Sequence, residues 1–153
     1  MTLHELKAAR LFKEGYNCAQ AVFCAFADEL GMDIDLAKRV SSSFGGGMGR
    51  MREVCGAVSG ALMAMGCFEG YDVIGDDEIK KAHYARVQNL MKAFADELGS
   101  YVCRDIIKVI GSQPPTPTPR SEEFYMVRPC VRCVMRAARL VDTQTLGLAD
   151  TEE

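Results

Sequence analysis

Tryptophan is absent from the sequence, there are only two histidines, and aromatic residues make up 8% of the chain. No segment of any length shows the alternation of apolar and polar residues that marks a half-buried strand. Alanine, leucine, methionine, glutamate and lysine, all good helix formers, are common instead. The sequence therefore predicts an all-α fold.

An excess of positive charge and a membrane-spanning segment are also lacking. The net charge is −3, whereas a nucleic-acid-binding face must neutralise phosphates, so we expect no nucleic-acid partner. The most apolar run, residues 54–68, is shorter than the roughly 20 residues that cross a bilayer. The N-terminus has no apolar core of the kind found in secretory signals. These features predict a cytoplasmic protein without membrane insertion.

Helical periodicity and capping residues divide the chain into about six helices, which we expect to form a single-domain bundle. Proline lacks an N–H donor, so the stretch QPPTPTP is predicted to be an extended connector. We expect a helical domain over 1–141 and a frayed tail over 142–153. Within the domain, a Gly-rich loop is predicted at 44–50 and the Pro-rich connector at 113–119. The predicted helices run from Thr2 to Gly15, Asn17 to Gly31, Asp33 to Ser43, Arg52 to Gly66, Asp76 to Gly99, Ser100 to Ile110 and Cys130 to Leu140.

Cysteine, in contrast, is abundant, with seven residues in the chain. The odd number and the expected reducing compartment argue against a disulfide framework. Four of the seven are predicted in or near a first helical turn: Cys18 at the first position of its helix, Cys103 at the third, Cys130 at the second, and Cys55 near the start of its helix.

A first helical turn is a favourable place for an anionic sulfur. Its N–H groups have no intrahelical partner and the helix dipole adds positive charge there, so the pKa of a thiol can fall from about 8.5 to between roughly 3.5 and 7.5. The same donors would stabilise an iron–sulfur cluster. The alternative is that these cysteines are small buried apolar residues. Arginines flank three of them in sequence: Arg50, Arg52, Arg104, Arg128 and Arg132.

The helix that follows Cys55 is rich in small residues, with Gly56 and Gly60 four positions apart. Glycine at these positions lets another backbone, or a bound group, come close. Together with Arg50, these glycines are candidate cofactor-binding residues, while a tight helix crossing without a ligand is an equally good interpretation. The loop GGGMG lacks the GxxxxGK[ST] pattern of a phosphate-binding loop.

The remaining cysteines and histidines carry weaker signals. Cys130 and Cys133 form a CxxC pair, but no βαβ pattern suggests a thioredoxin fold and no second CxxC suggests a zinc ribbon. Cys133 nevertheless joins the candidate catalytic residues, and zinc stays an alternative to iron. Core packing is expected for Cys24 and Cys67, and a surface or packing role for His4 and His83.

Several stretches of the sequence resemble the bacterial C_GCAxxG_C_C family, described as redox-active. They are GYNCAQAVFCAFADELG, SSFGGGMGRMREVCGAVSGALMAMG with its central CGAVSG, GSYVCRDII and the final CVRCV. The resemblance implies a small helical domain with a redox role, often in anaerobes, and assigns the family's cysteines to Cys18, Cys55, Cys103 and Cys130. Because a related domain holds an iron–sulfur cluster, it also implies a [2Fe–2S] ligand set at these four residues.

Two hypotheses follow. In the first, Cys18, Cys55, Cys103, Cys130 and Cys133 serve a redox protein, either as metal-centre ligands or as a thiol/disulfide couple, in an oxidoreductase or an electron carrier with a redox partner protein. In the second, the chain is a non-catalytic helical interaction module with structural cysteines, forming a homodimer or binding another protein.

Overall fold

The computed structural model describes residues 1–148, and it confirms the all-α prediction. Within these residues the only pairing of β type is an isolated antiparallel bridge between Val54 and Val102. No helix in the same part of the chain has the length and apolar character needed to cross a bilayer. The helices are α1 (Leu3–Lys13), α2 (Cys18–Ala25), α3 (Ala27–Leu30), α4 (Ile34–Ser42), α5 (Gly45–Met48), α6 (Gly56–Glu69), α7 (Asp77–Leu98), α8 (Cys103–Ile107), α9 (Glu122–Val127) and α10 (Cys130–Gln144).

Helices α1, α2, α6 and α10 pack against one another and enclose one continuous hydrophobic core. Helix α4 covers α2, and α7 covers α10 and α6. Burial of each large apolar side chain contributes about 1.5–3 kcal/mol. The largest fully buried apolar side chains are Phe12, Phe23, Phe26, Phe94, Met65 and Leu90.

The helix starts predicted from capping residues are present except the one at Ser100, because Val102 is the N-cap of α8. Thr2 and Asn17 each form a capping box, and Asp76 and Ser121 accept hydrogen bonds from the first turns of α7 and α9. The helix expected from Asn17 to Gly31 is broken at Phe26, which has φ −101° and ψ 2°. The Phe26 ring is stacked on His4 and buried, so tertiary packing accounts for the break.

The small-residue helix begins later and ends later than expected. Cys55 is the N-cap of α6 rather than an interior residue, because the preceding segment is extended and pairs with another segment. The helix also continues past Gly66 to Glu69. Cys67 therefore lies within α6, where it is exposed, and the prediction that it packs in the core is wrong. Cys24 is fully buried in the core, as expected.

At the C-terminal end, α10 continues beyond Leu140 to Gln144. Asp142, the first residue of the predicted frayed tail, is fully buried. Its carboxylate lies 2.6 Å from Nδ1 of His4, whose Nε2 lies 2.7 Å from a carboxylate oxygen of Glu29. These contacts tie the end of α10 to α1. Residues 149–153 of the predicted tail lie outside the described residues.

We expect His4 to make the stability of the fold depend on pH. Burial lowers the pKa of His4, but the hydrogen bonds to Asp142 and Glu29 outweigh burial and raise it above 6.5. Because the pKa of His4 is higher in the folded state, protonation of His4 stabilises the fold. This contribution is complete at pH values below the unfolded-state pKa of about 6.5, and it is lost as the pH rises through the folded-state pKa. The loss cannot exceed about 1.4 kcal/mol per pH unit for a single proton.

Urea unfolding of the native protein and of His4→Gln between pH 5.5 and 9 would measure this contribution. The difference in unfolding free energy between the two proteins should be largest at the acidic end and decrease with pH. An NMR titration of His4 with its midpoint at or below pH 6.5 would contradict the prediction.

Candidate functional site: a cavity lined by cysteines

Two of the candidate cysteines are brought together by the extended pairing that precedes α6. The Cys55 N–H donates to the carbonyl of Tyr101 over 2.8 Å, and the Cys103 N–H donates to the carbonyl of Glu53 over 2.6 Å. Cys103 is the first residue of α8, rather than the third as expected. The bridge therefore places the start of α8 beside the start of α6.

The glycines of α6 let this helix approach the start of α2. A Cβ atom on Gly60 would lie 2.6 Å from the carbonyl oxygen of Ala19, and one on Gly56 would lie 3.2 Å from Cβ of Cys18. The distance at Gly60 is too short for a side chain, and a Cβ atom on Gly56 would also lie 2.9 Å from the carbonyl oxygen of Phe44, which is likewise too short. Gly60 thus serves a tight crossing of two helices, whereas Gly56 also lines the cavity described next.

Helix α10 supplies the remaining sulfurs. Cys130 is the first residue of α10, rather than the second as expected, because Pro129 is the N-cap. Cys133 follows three residues later, on the same face. All five candidate cysteines line one small cavity of about 30 Å³, which is bounded by Cys18, Gly46, Gly47, Arg52, Cys55, Gly56, Cys103, Ile106, Ile107, Cys130 and Cys133.

Within this cavity, Cys18 and Cys130 form a hydrogen-bonded pair. The hydrogen bond from the Cys18 thiol lowers the pKa of Cys130 to about 7, against the opposing effect of burial, and the charges of Arg128, Arg52 and Arg120 act in the same direction. The pKa of Cys18 is raised, chiefly by the same hydrogen bond and then by burial. Cys130 is therefore the sulfur that ionises first in this pair.

Cys55 and Cys133 form a second hydrogen-bonded pair. The hydrogen bond from the Cys133 thiol lowers the pKa of Cys55; burial opposes it, and backbone N–H groups of Ala57 and Val58 assist it. These N–H groups belong to the first turn of α6, as expected for a cysteine at a helix start. The pKa of Cys133 is raised, first by its hydrogen bond to Cys55 and then by burial.

Cys103, the fifth sulfur, is held by an arginine instead of a thiol. Burial raises the pKa of Cys103, and the hydrogen bond from Arg52 opposes this shift. Nη1 of Arg52 lies 3.5 Å from Sγ of Cys103, and Nε donates to the side-chain oxygen of Gln113 over 2.9 Å. Arg52 is 4% exposed, so its charge lies inside the protein beside the sulfurs.

The loop between Phe44 and Arg52 adopts an unusual backbone conformation. Three residues with side chains, Met48, Arg50 and Arg52, have positive φ, as do Gly46, Gly47 and Gly49. A positive φ at a residue with a side chain costs about 1 kcal/mol or more, and such strain occurs often at functional sites. This conformation places Gly46, Gly47 and Arg52 against the cysteine cavity.

A second cavity, of about 370 Å³, adjoins the cysteine cavity. Cys18 and Cys130 line both cavities, so this pair lies at their junction. Arg50 faces only the larger cavity, while Arg104 is paired with Glu53 and lines neither. The larger cavity is bounded by Phe12, Asn17, Cys18, Gly45, Gly46, Gly49, Arg50, Arg52, Pro115, Pro117, Thr118, Arg120, Phe124, Arg128 and Cys130.

Sequence reasoning missed two residues of this region, Arg120 and Gln113. Arg120 donates to the carbonyls of Phe12 and Tyr16 over 2.8 and 3.1 Å. Both residues lie in or beside the Pro-rich segment, ten or more residues along the chain from every cysteine. Their only sequence signal is a polar side chain at either end of that connector.

The thiol groups are also possible metal ligands. Four or five cysteine sulfurs are the right donors for zinc or an iron–sulfur cluster. Within residues 1–148, however, no group of three or more Cys, His, Asp or Glu side chains is placed to hold a metal ion. The cavity of about 30 Å³ also has room for little more than a water molecule. The arrangement described is not a preformed metal site, and the ligand set implied by the resemblance stays a prediction.

The fold and the cavity define a small all-α protein in which cysteines from four separate segments share one buried site. A family model described as "Putative redox-active protein (C_GCAxxG_C_C)" matches residues 16–144. The chain belongs to this family. Comparisons with the curated proteins and with the solved structures each found no match.

Proposed function

We propose that the protein is a thiol-dependent redox protein in which Cys130 and Cys18 form the reacting dithiol/disulfide pair. The observation that carries this proposal is the position of the pair: Cys18 and Cys130 are the two described cysteines that line both the cysteine cavity and the larger cavity beside it. A reactant in the larger cavity would reach these two sulfurs before the other three. The free thiols fit a reducing compartment such as the cytoplasm.

The chemistry is a thiol–disulfide exchange in two steps. The Cys130 thiolate attacks one sulfur of an oxidising disulfide, its S–S bond breaks, and one thiolate leaves and takes a proton from solvent. Cys18 loses its proton to solvent and attacks the Cys130 sulfur of the mixed disulfide, which releases the second thiolate. This second thiolate also takes a proton from solvent. Counting the proton that Cys130 gave up when it ionised, the dithiol loses two electrons and two protons, and the oxidant gains two electrons and, through solvent, two protons.

Cys55 and Cys133 supply a second dithiol in the same cavity. Because it lies beside the first pair, it can reduce the Cys18–Cys130 disulfide by exchange or be oxidised in its turn. The site would then store up to four electrons. Cys103 has no thiol partner in this scheme. Through its contact with Arg52, it would position the guanidinium group beside the other sulfurs.

Disulfide mapping tests the proposal. In a variant carrying Cys24→Ala and Cys67→Ser, which removes both cysteines outside the cavity, one equivalent of neutral dithiodipyridine should release two equivalents of thiopyridone. Mass spectrometry should then show a bond between Cys18 and Cys130. An intact set of thiols, or bonds joining separate molecules only, would argue for the interaction-module hypothesis instead.

A metal centre is the second candidate, favoured by the sulfurs at the starts of α2, α6, α8 and α10. Free N–H groups of these first turns would donate to an anionic cluster. Anaerobic purification followed by iron and sulfide analysis decides between the two candidates. Iron and sulfide that are lost in Cys55→Ser but kept in Cys67→Ser would establish the cluster and reject the dithiol scheme.

A further inference from the structure

The larger cavity is lined by positively charged side chains, although the protein as a whole is acidic. Four arginines line it and, within the described part of the chain, no aspartate or glutamate does. The whole chain carries a net charge of −3. Within residues 1–148 none of these four guanidinium groups forms an ion pair with a carboxylate, unlike Arg10, Arg86, Arg104 and Arg136. Unpaired positive charge that is concentrated in a concave site favours the binding of an anionic ligand.

Neutral partners hold two of these arginines in place without cancelling their charge. Arg50 donates to the carbonyl of Pro114 over 2.7 Å and to the hydroxyl of Thr118 over 2.8 Å. Arg120 bonds to backbone carbonyls and stacks on the ring of Phe12, with 4.1 Å between the guanidinium carbon and the ring centroid. The positions are therefore set in advance, which lowers the cost of binding.

Arg128 differs from the others because its guanidinium makes no hydrogen bond within residues 1–148. It lies over the ring of Phe124, 5.4 Å from the centroid. Burial and the charges of Arg52 and Arg128 lower the pKa of Arg50, which shows that the arginines repel one another. An anion between them would relieve this repulsion and accept the free donors of Arg128.

The walls between the arginines are apolar and flat. The rings of Phe12 and Phe124 and the prolines Pro115 and Pro117 line the same cavity. A volume of about 370 Å³ lies in the range of small-molecule sites. The cavity therefore suits an organic molecule that combines a planar or apolar body with carboxylate or phosphate groups.

We propose that this arginine-lined cavity binds a small organic disulfide bearing carboxylate or phosphate groups and presents it to Cys130. The reaction step rests on the proposed function: the Cys130 thiolate displaces one half of the anionic disulfide, and Cys18 then displaces the other half. The protein gains one disulfide, and the ligand leaves as two anionic thiols. The binding step rests on the cavity alone.

Charge selectivity of the reaction tests the proposal. The native cavity and its arginine variants are compared in the background carrying Cys24→Ala and Cys67→Ser, because the exposed Cys67 would otherwise react. The rates of the first equivalent of reaction are measured for dithiobis-nitrobenzoate, which is doubly negative, and for neutral dithiodipyridine. A change in the thiolate population of Cys130 affects both rates, so their ratio reports the charge of the cavity. In Arg128→Gln and Arg120→Gln the anionic-to-neutral ratio should fall by roughly five-fold or more.

The matched control is Arg132→Gln, on the exposed side of α10 next to Cys133 and outside the cavity lining. Its ratio should equal that of the native protein. High salt should lower the native ratio towards that of Arg128→Gln. Equal ratios in all four proteins would overturn the proposal.

A binding measurement separates this proposal from the redox function. Nitrobenzoate is titrated by calorimetry into a double variant, Cys18→Ser with Cys130→Ser, in which the pair cannot react. Saturable binding at one site, weakened at least five-fold by adding Arg128→Gln, supports the cavity even if no disulfide exchange occurs in the native protein. Absence of such binding overturns it, even if the Cys18–Cys130 disulfide forms readily.

Discussion

Substitution of Cys130 by serine is expected to abolish the fastest thiol alkylation of the protein. Because the pKa of Cys130 is lowered to about 7, its thiolate is present at pH values below those at which an ordinary thiol ionises. At pH 6 it holds roughly 30 times more thiolate than a thiol of pKa 8.5. The lower basicity reduces its nucleophilicity, so the net advantage is roughly six-fold.

Iodoacetamide labelling between pH 5 and 9, followed by mass spectrometry of each cysteine peptide, measures this advantage. The labelling rate at Cys130 should rise with a midpoint near pH 7, and the phase with this midpoint should be missing in Cys130→Ser. Cys133→Ser is the matched control because it removes a thiol from the same helix and cavity but leaves the Cys18–Cys130 pair. A pH 7 phase that survives in Cys130→Ser and is lost in Cys55→Ser would assign the reactive thiolate to the second pair.

Substitution of Gly47 by alanine is expected to destabilise the protein by about 2–6 kcal/mol, since strain and overpacking each contribute about 1–3 kcal/mol. Gly47 has φ +66°, and a Cβ atom there would lie 2.7 Å from Cβ of Cys103, 2.8 Å from Cα of Arg52 and 2.9 Å from the Glu53 nitrogen. These are backbone and near-backbone atoms, which cannot rotate away. The segment that carries Cys103 and Arg52 would have to shift.

Gly49→Ala is the control for the Gly47 substitution. Gly49 also has a positive φ, +59°, but no atom lies within 4 Å of an added Cβ, so only backbone strain of about 1 kcal/mol is expected. Urea unfolding of both variants measures the difference. Equal destabilisation would show that Gly47 is needed for its backbone conformation and not for its contact with the cysteine site.

The starts of helices could be predicted from the sequence because capping is a local interaction. Thr2, Asn17 and Asp76 each accept hydrogen bonds from N–H groups two or three residues further on, so a short stretch of sequence carries the whole signal. Helix interruptions were less predictable. The break at Phe26 and the extended segment before Cys55 depend on partners distant in sequence, His4 and Tyr101.

The membership of the cysteine site was also largely predictable, but its pairing was not. The helix starts and the family resemblance indicated Cys18, Cys55, Cys103 and Cys130, and the CxxC spacing added Cys133. Nothing in the spacing indicated that Cys130 pairs with Cys18 while Cys133 pairs with Cys55. The assignment of Arg52 to Cys103 rather than to its sequence neighbour Cys55 was equally hidden.

Local sequence specified the helices, their caps and the cysteines at their starts, because each depends on groups within a few residues. Which sulfurs meet, and which arginines surround them, depends on the crossing of α2 and α6 and on the pairing of Val54 with Val102. These contacts join segments far apart in the chain, and their geometry depends on side-chain packing across the whole core. For the same reason Arg120 became visible as part of a charged cavity only in the folded protein.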